Sequence, residues 1–291
     1  MNYTKSTGGS LVPSVLNFVQ AVAASTITGA GLVVGTVTLA PNANIPAGSV
    51  ISQTPAGGTV VPTGSAVNLV VSSGLPLTIA ASVTRNRSTQ VTTTTSPSLT
   101  VGANTLLVAF VSTDAPDPCC AVNTTVTGVT NTTGALTWTR AVRSNAQLGT
   151  AEVWWAFAPT AHTAMTVTAT TNNPVAASMT VMAFTGAASS LVGAASAATS
   201  GTSGAPTGSI VTTRNDSYVI GVGTDWDAPR VMTPFTGQVM VNQFNPTVGD
   251  TYWTQRTNSI PAAGTKITIT DSYGPTMPDR WNLAVIEIRR Q

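Results

Sequence analysis

The chain has 291 residues, enough for two domains with sizeable cores, yet only 8% of them are charged and the net charge is +2. That balance lacks the basic footprint that neutralises nucleic-acid phosphates, and no apolar run approaches the ~20 residues of a membrane-spanning helix. Neither nucleic acid nor a membrane is therefore expected as a partner. Residues 6–84 contain no Asp, Glu, Lys or Arg, and a second charge-free run covers 153–213. Freely diffusing proteins usually keep a charged surface, so this neutrality suits a component packed against neighbours.

In chain order, residues 1–10 are expected to form an N-terminal arm. Lys5 and the apolar stretch 11–24 imitate a secretion signal, but Pro13 and Gln20 interrupt it and the same residues fit a folded domain. The chain is read as unprocessed and made in a cytoplasm. Residues 11–74 are predicted to form one small unit. Pro13 opens a helix. Val15, Phe18, Val19 and Val22 recur at helical spacing, and Gly29 and Gly31 end the helix. Three short strands follow at 33–39, 50–54 and 66–72. Pro46-Ala47-Gly48 and Ala56-Gly57-Gly58 supply turns between them.

Several segments of this unit are familiar together. They are Val12-Pro13-Ser14-Val15, Ala30-Gly31-Leu32, the run from Pro46-Ala47-Gly48 through Gln53-Thr54-Pro55 to Gly57, and Gly64-Ser65-Ala66-Val67. They resemble a PASTA domain, the small helix-plus-three-strand module of bacterial cell-wall proteins. Asn17 stands where that family usually has Gly, and the charged residues common on its surface are missing. The resemblance implies a muropeptide-binding role. In the family, tandem copies occur outside the membrane on Ser/Thr kinases and penicillin-binding proteins. Here one copy stands without a kinase motif, and neither Lys5 nor Lys266 completes the S-x-x-K nucleophile motif of a transpeptidase. The module is read as borrowed for another setting.

Leu75-Pro76-Leu77 is a short linker, expected to fix domain geometry. Residues 78–291 read as strands, at 106–111, 136–142, 152–157, 162–170, 179–184, 217–222, 238–244, 251–255, 266–270 and 281–288. In 162–170, Met165, Val167 and Ala169 point inward and Thr outward. Residues 187–209, rich in Ala, Ser, Gly and Thr, read as a long loop. The expected fold is mainly β: a small α+β unit followed by a larger jelly-roll-like sandwich of two packed antiparallel sheets. The order Trp138, Trp154-Trp155, Asp225-Trp226-Asp227, Tyr252-Trp253, Trp281 is similar to β-sandwich domains of bacterial surface proteins and phage structural proteins.

Catalytic chemistry finds little support. His162 is the sole histidine, read as a surface turn residue, and no G-x-S-x-G elbow marks a nucleophile. The two glutamates, Glu152 and Glu287, both fall inside strands, so a paired-carboxylate glycosidase would have to use aspartates. No catalytic residue and no cofactor is expected. Asp114 with Asp117, or Asp225 with Asp227, are the carboxylates that would suit Ca2+, though without EF-hand spacing. Asp225, Trp226, Asp227 and Trp155 are the candidate glycan contacts, because an indole face stacks on a sugar ring. Local ion pairs are expected between Asp279 and Arg280 and between Asp225 and Arg230. Cys119 and Cys120 are adjacent in a loop stiffened by Pro116 and Pro118. They are two reduced thiols or an intersubunit contact.

Two functional classes carry the expectation. The first is a non-enzymatic virion structural protein of a bacteriophage, a capsid decoration or tail-associated protein on the virion surface. Its partners would be other virion proteins and copies of itself. The alternative is a secreted or cell-surface adhesin or carbohydrate-binding module, with cell-wall glycan or peptidoglycan as partner.

Overall fold

The computed structural model describes residues 8–42, 44–116, 123–272 and 279–291. The chain divides into two compact units, residues 1–76 with Gln291, and residues 77–290. No described helix is long and apolar enough to cross a membrane.

The first unit runs β1 (Gly9–Leu11), α1 (Gln20–Gly29), β2 (Val33–Ala40), β3 (Val50–Thr54), β4 (Val60–Pro62) and β5 (Ala66–Ser72). β5 is central in a three-stranded sheet, parallel to β2 and antiparallel to β3. β1 and β4 form a separate antiparallel ribbon, so Gly9 and Ser10 of the expected arm belong to the fold. Ala23 and Ile27, one helical turn apart, are buried with Val50, Val67, Leu69 and Val71.

The helix starts later than Pro13 predicts. Asn17 has φ 65°, a left-handed conformation that Asn tolerates better than most residues, and this breaks any helix running through it. The amide of Asn17 donates to Val50 O, and that of Val50 donates to Phe18 O, both at 2.9 Å, holding the segment against β3. Val12 and Val15 enter the core from backbone outside the helix, while Phe18, Val19 and Val22 stay substantially exposed. Their helical spacing came from an apolar surface, not a buried stripe.

Among the described residues, the second unit contains two sets of eight strands. The first is β6 (Thr78–Thr95), β7 (Leu99–Val101), β8 (Thr105–Thr113), β9 (Val126–Asn131), β10 (Thr139–Ser144), β11 (Thr150–Ala158), β12 (His162–Met165) and β13 (Val167–Thr185). The second is β14 (Ser196–Gly201), β15 (Thr207–Val211), β16 (Tyr218–Asp225), β17 (Thr233–Pro234), β18 (Gln238–Phe244), β19 (Thr251–Thr257), β20 (Lys266–Ser272) and β21 (Trp281–Ile288). One central sheet has the order β10-β11-β8-β13-β6, and the other β18-β19-β16-β21-β14. The second order is the first moved on by eight strands, and the pair β7-β12 has its counterpart in β15-β20, so the two copies share their central sheets and this pair, while β9 joins β13 and β17 joins β20.

The registers agree with this. β13 pairs with β8 from Ala177↔Thr113 to Phe184↔Leu106, and β21 pairs with β16 from Trp281↔Asp225 to Ile288↔Tyr218. Each of β8 and β16 is entered through the same turn. Asn104 and Asp216 hold φ 56° and 58°. The next hydroxyl bonds back three residues in each copy: Thr105 Oγ1 to Gly102 O at 2.8 Å, and Ser217 Oγ to Arg214 O at 3.0 Å.

The two central sheets pack together through Leu106, Val108 and Phe110 from the first copy and Ile220, Val222, Ile286 and Ile288 from the second. Each central sheet also has a core on its other face. In the first copy, Leu99, Val126 and Met165 pack with Leu107, Met179 and Val181. In the second, Ile210 and Ile269 pack with Val219, Leu283 and Val285. The expected pair of packed antiparallel sheets is present at the centre, with a further layer outside each. The segment 187–209 is not one long loop, since it holds β14 and the start of β15. Its small residues answer a packing demand: a Cβ on Gly201 would lie 2.6 Å from the Trp281 ring, and one on Gly208 2.8 Å from Val285.

Candidate functional site

In the first unit, α1 covers one face of the sheet and leaves the other open. Register places Thr38, Val70 and Ser52 in one cross-strand row, and Asn68 and Thr54 in the next, beside Thr36. These residues line an open pocket of about 190 Å³. A bulge in β2 at Gly35-Thr36 shapes one side of it. There the Thr36 amide donates to Asn68 Oδ1 at 2.8 Å. A Cβ on Gly35 would sit 2.2 Å from that oxygen, so glycine is what lets the amide lie over the bulge. With its oxygen engaged, exposed Asn68 is left with its NH2 as the donor group. Gln53 is spent internally: its Oε1 accepts from Val15 N at 2.7 Å, and its Nε2 donates to Pro13 O at 2.9 Å.

A second polar cluster lies at the ends of β8 and β16. Asp225, the last residue of β16, is fully buried, and neither of its carboxyl oxygens has a well-aligned donor among the described residues. Burial, with the Asp279 carboxyl beside it, pushes its pKa up to about 9, so Asp225 carries a proton at neutral pH. Asp279 accepts from Arg230 Nε at 2.9 Å. Asp227 accepts from the Arg280 amide at 2.7 Å and from its guanidinium, which holds the carboxyl below its usual range. The ion pairs thus join Arg230 to Asp279 and Arg280 to Asp227, in place of the expected pairing of neighbours. Asp114 receives the Trp226 indole N–H at 3.1 Å, and Asp250 receives the Tyr252 hydroxyl at 2.6 Å. Burial and the nearby Asp114 push Asp250 up to about 8.

These contacts decide what the sequence-derived candidates can do. Trp226 has the Arg280 guanidinium over its ring, 4.3 Å from the centroid, so that face is not open to a sugar. Asp225 is inaccessible and Asp227 is engaged. Trp155 is not brought to them: it lies in mid-β11 opposite Val108, half-buried against the core between the sheets. Around the calcium candidates, no group of three acidic, His or Cys side chains among the described residues gathers about a common point. Asp117, Cys119 and Cys120 lie outside the described residues.

Both glutamates hold the fold together. Glu152 accepts from Val126 N at 2.8 Å, Arg143 Nε at 2.7 Å and Trp154 Nε1 at 3.0 Å. Glu287 accepts from Thr213 N at 2.7 Å, Thr213 Oγ1 at 2.6 Å and Ser217 Oγ at 2.9 Å. Burial alone would raise its pKa, but these donors outweigh burial and set it below the usual value. His162 is partly buried with its ring against Gly134, and its Nε2 has no hydrogen-bond partner among the described residues.

Residues 11–73 match the family model described as PASTA domain. No curated protein matches the chain. Among solved structures, the chain is similar to one titled "X-ray structural studies of the entire extra-cellular region of the Ser/Thr kinase PrkC from Staphylococcus aureus". Identity is 22% and the TM-score 0.22, and the match covers 38% of this chain and 35% of that one. The chain thus spans about a third of that structure's length. Residues 11–73 carry a PASTA domain, and a larger all-β region follows it.

Proposed function

We propose that this chain is a non-enzymatic wall-binding protein, whose PASTA domain attaches it to peptidoglycan or cell-wall glycan. The observation that carries the reading is the family match over residues 11–73, on the unit whose open sheet face presents hydroxyls and an amide. On this reading the protein works outside the cell, secreted or on the surface, and the β-sandwich unit is the part displayed at the wall. The non-enzymatic part of the reading rests on Glu152 and Glu287, whose carboxylates are held by internal donors. The first expectation, a phage capsid decoration or tail protein among other virion proteins, draws no support from the family match, which favours the alternative.

The test is co-sedimentation of the full-length protein with purified peptidoglycan sacculi. Saturable recovery in the pellet is expected. Protein that stays in the supernatant at every sacculus concentration overturns the reading.

A further inference from the structure

Resting on the wall-binding reading, we propose that the open sheet face of the PASTA domain takes the uncharged, N-acetylated sugar chain of the wall and not its charged stem peptides. The first argument is charge. Residues 6–84 contain no Asp, Glu, Lys or Arg, and the chain's one histidine is at 162. A stem peptide brings carboxylates, and a carboxylate leaving water needs a cation or several convergent N–H donors. The pocket has neither. Thr36, Thr38, Ser52 and Thr54 supply hydroxyls, and Asn68 supplies one amide.

The second argument is the arrangement of those groups. The two rows are separated by two residues along the strands; the first crosses three strands, and the second pairs Asn68 with Thr54, with Thr36 in the β2 bulge beside Asn68. Strand geometry makes this a patch of about 10 by 7 Å, the breadth of one to two sugar rings. Val70 forms an apolar floor at its centre, suited to the C–H face of a pyranose. The hydroxyls of Thr36, Thr38, Ser52 and Thr54 stand around it on exposed residues, within reach of a sugar hydroxyl. The Asn68 NH2 is the directed donor, because its oxygen is fixed on the Thr36 amide. An acetamido carbonyl is the group on the sugar chain that such a donor recognises.

The experiment uses the full-length protein with three probes: intact sacculi, tetra-N-acetylchitotetraose, and a free stem tripeptide. The first measurement is sacculus binding at low and at about 0.5 M salt. The second is competition by each soluble probe. The third is binding by a Thr38→Val, Thr54→Val double variant, whose exposed isosteric changes leave the Gly35-Asn68 bulge intact. The expected result is sacculus binding that salt does not weaken, because no ion pair is screened. The chito-oligosaccharide should compete, and the double variant should bind about tenfold more weakly. Sacculus binding that is lost at 0.5 M salt, or competed by the tripeptide and not by the sugar, overturns the glycan assignment and leaves wall binding standing. Absence of sacculus binding removes both.

Discussion

Replacing Asp225 with asparagine should stabilise the larger unit at alkaline pH and flatten its pH dependence. Asp225 titrates at about 9 in the fold, against an ordinary value of 3.8. Over the interval between them, the folded chain binds a proton that the unfolded chain has released. A folded pKa raised above the unfolded one gives a contribution that is full below about 3.8 and lost as pH rises through 9. Each pH unit in that interval removes up to about 1.4 kcal/mol. From pH 5 to pH 8 the limit is about 4 kcal/mol, and relaxation and water entry bring the expected loss to about 2–4 kcal/mol. For a unit of this size, 1 kcal/mol moves Tm by about 2–4 °C, so the native protein should lose about 4–16 °C over that range. The asparagine side chain cannot ionise and has nearly the same shape. Scanning calorimetry at pH 5, 6.5 and 8, following the transition of the larger unit, is the assay. Asp225→Asn should raise Tm at pH 8 by a similar amount, and leave a shallower slope from Asp250 and Asp271, which burial raises to about 8 and about 7. An asparagine variant with the native slope, or with a lower Tm than the native protein at pH 8, would refute the argument.

Phe110→Ala should cost about 3–5 kcal/mol in urea unfolding, because Phe110 is fully buried between the two central sheets, and a smaller loss would mean that the interface collapses to fill the hole. Gly35→Ala should cost about 1–3 kcal/mol by forcing the Asn68 amide off the β2 bulge, and should weaken sacculus binding at the same time. An alanine variant with native stability and native binding would show that the clamp does not shape the pocket.

The legible parts of the fold were those where local pattern and final burial coincide. The strands at 50–54, 66–72, 238–244 and 281–288 have the bounds the sequence predicts, and Met165, Val167 and Ala169 are buried as their alternation requires. Pattern misled where apolar residues are not buried, as at Phe18, Val19 and Val22, and where small residues are packed closely, as at Gly201 and Gly208. The repeat was hidden because its equivalent strands share register and burial, not identity. Leu106 to Thr113 and Tyr218 to Asp225 occupy the same register without one residue in common. The pocket was readable only in part. Thr, Ser and Asn alternating along three strands mark a polar outer face, but the bulge that directs Asn68 depends on a contact between β2 and β5. At the acidic cluster, counting found Asp225 and Asp227, but missed Asp250 and paired the arginines with sequence neighbours. Long side chains choose partners in space, and Arg230 and Arg280 each reach across to the other segment.

The repeat also separates what the sandwich requires from what one copy has added. Thr113 stands in the first copy where Asp225 stands in the second, each at the end of its strand and each paired with the neighbouring strands at the same register. A neutral hydroxyl therefore completes this strand end, and the buried carboxyl of the second copy is an addition that opposes folding as pH rises. Glu287 is an addition of the opposite sign. Its counterpart by register is Ala183, and the hydroxyl-to-carbonyl turn at Gly102 and Thr105 closes without any carboxylate. In the second copy the same turn is present, and Glu287 accepts from Thr213, Ser217 and Arg214 around it. The shared turn is thus sufficient for the fold, and the glutamate reinforces a longer entry that carries the polar residues Thr213, Arg214 and Asn215. The two acids differ in their donors. Glu287 meets several and stays ionised below its usual pKa, whereas Asp225 meets another carboxyl and keeps its proton.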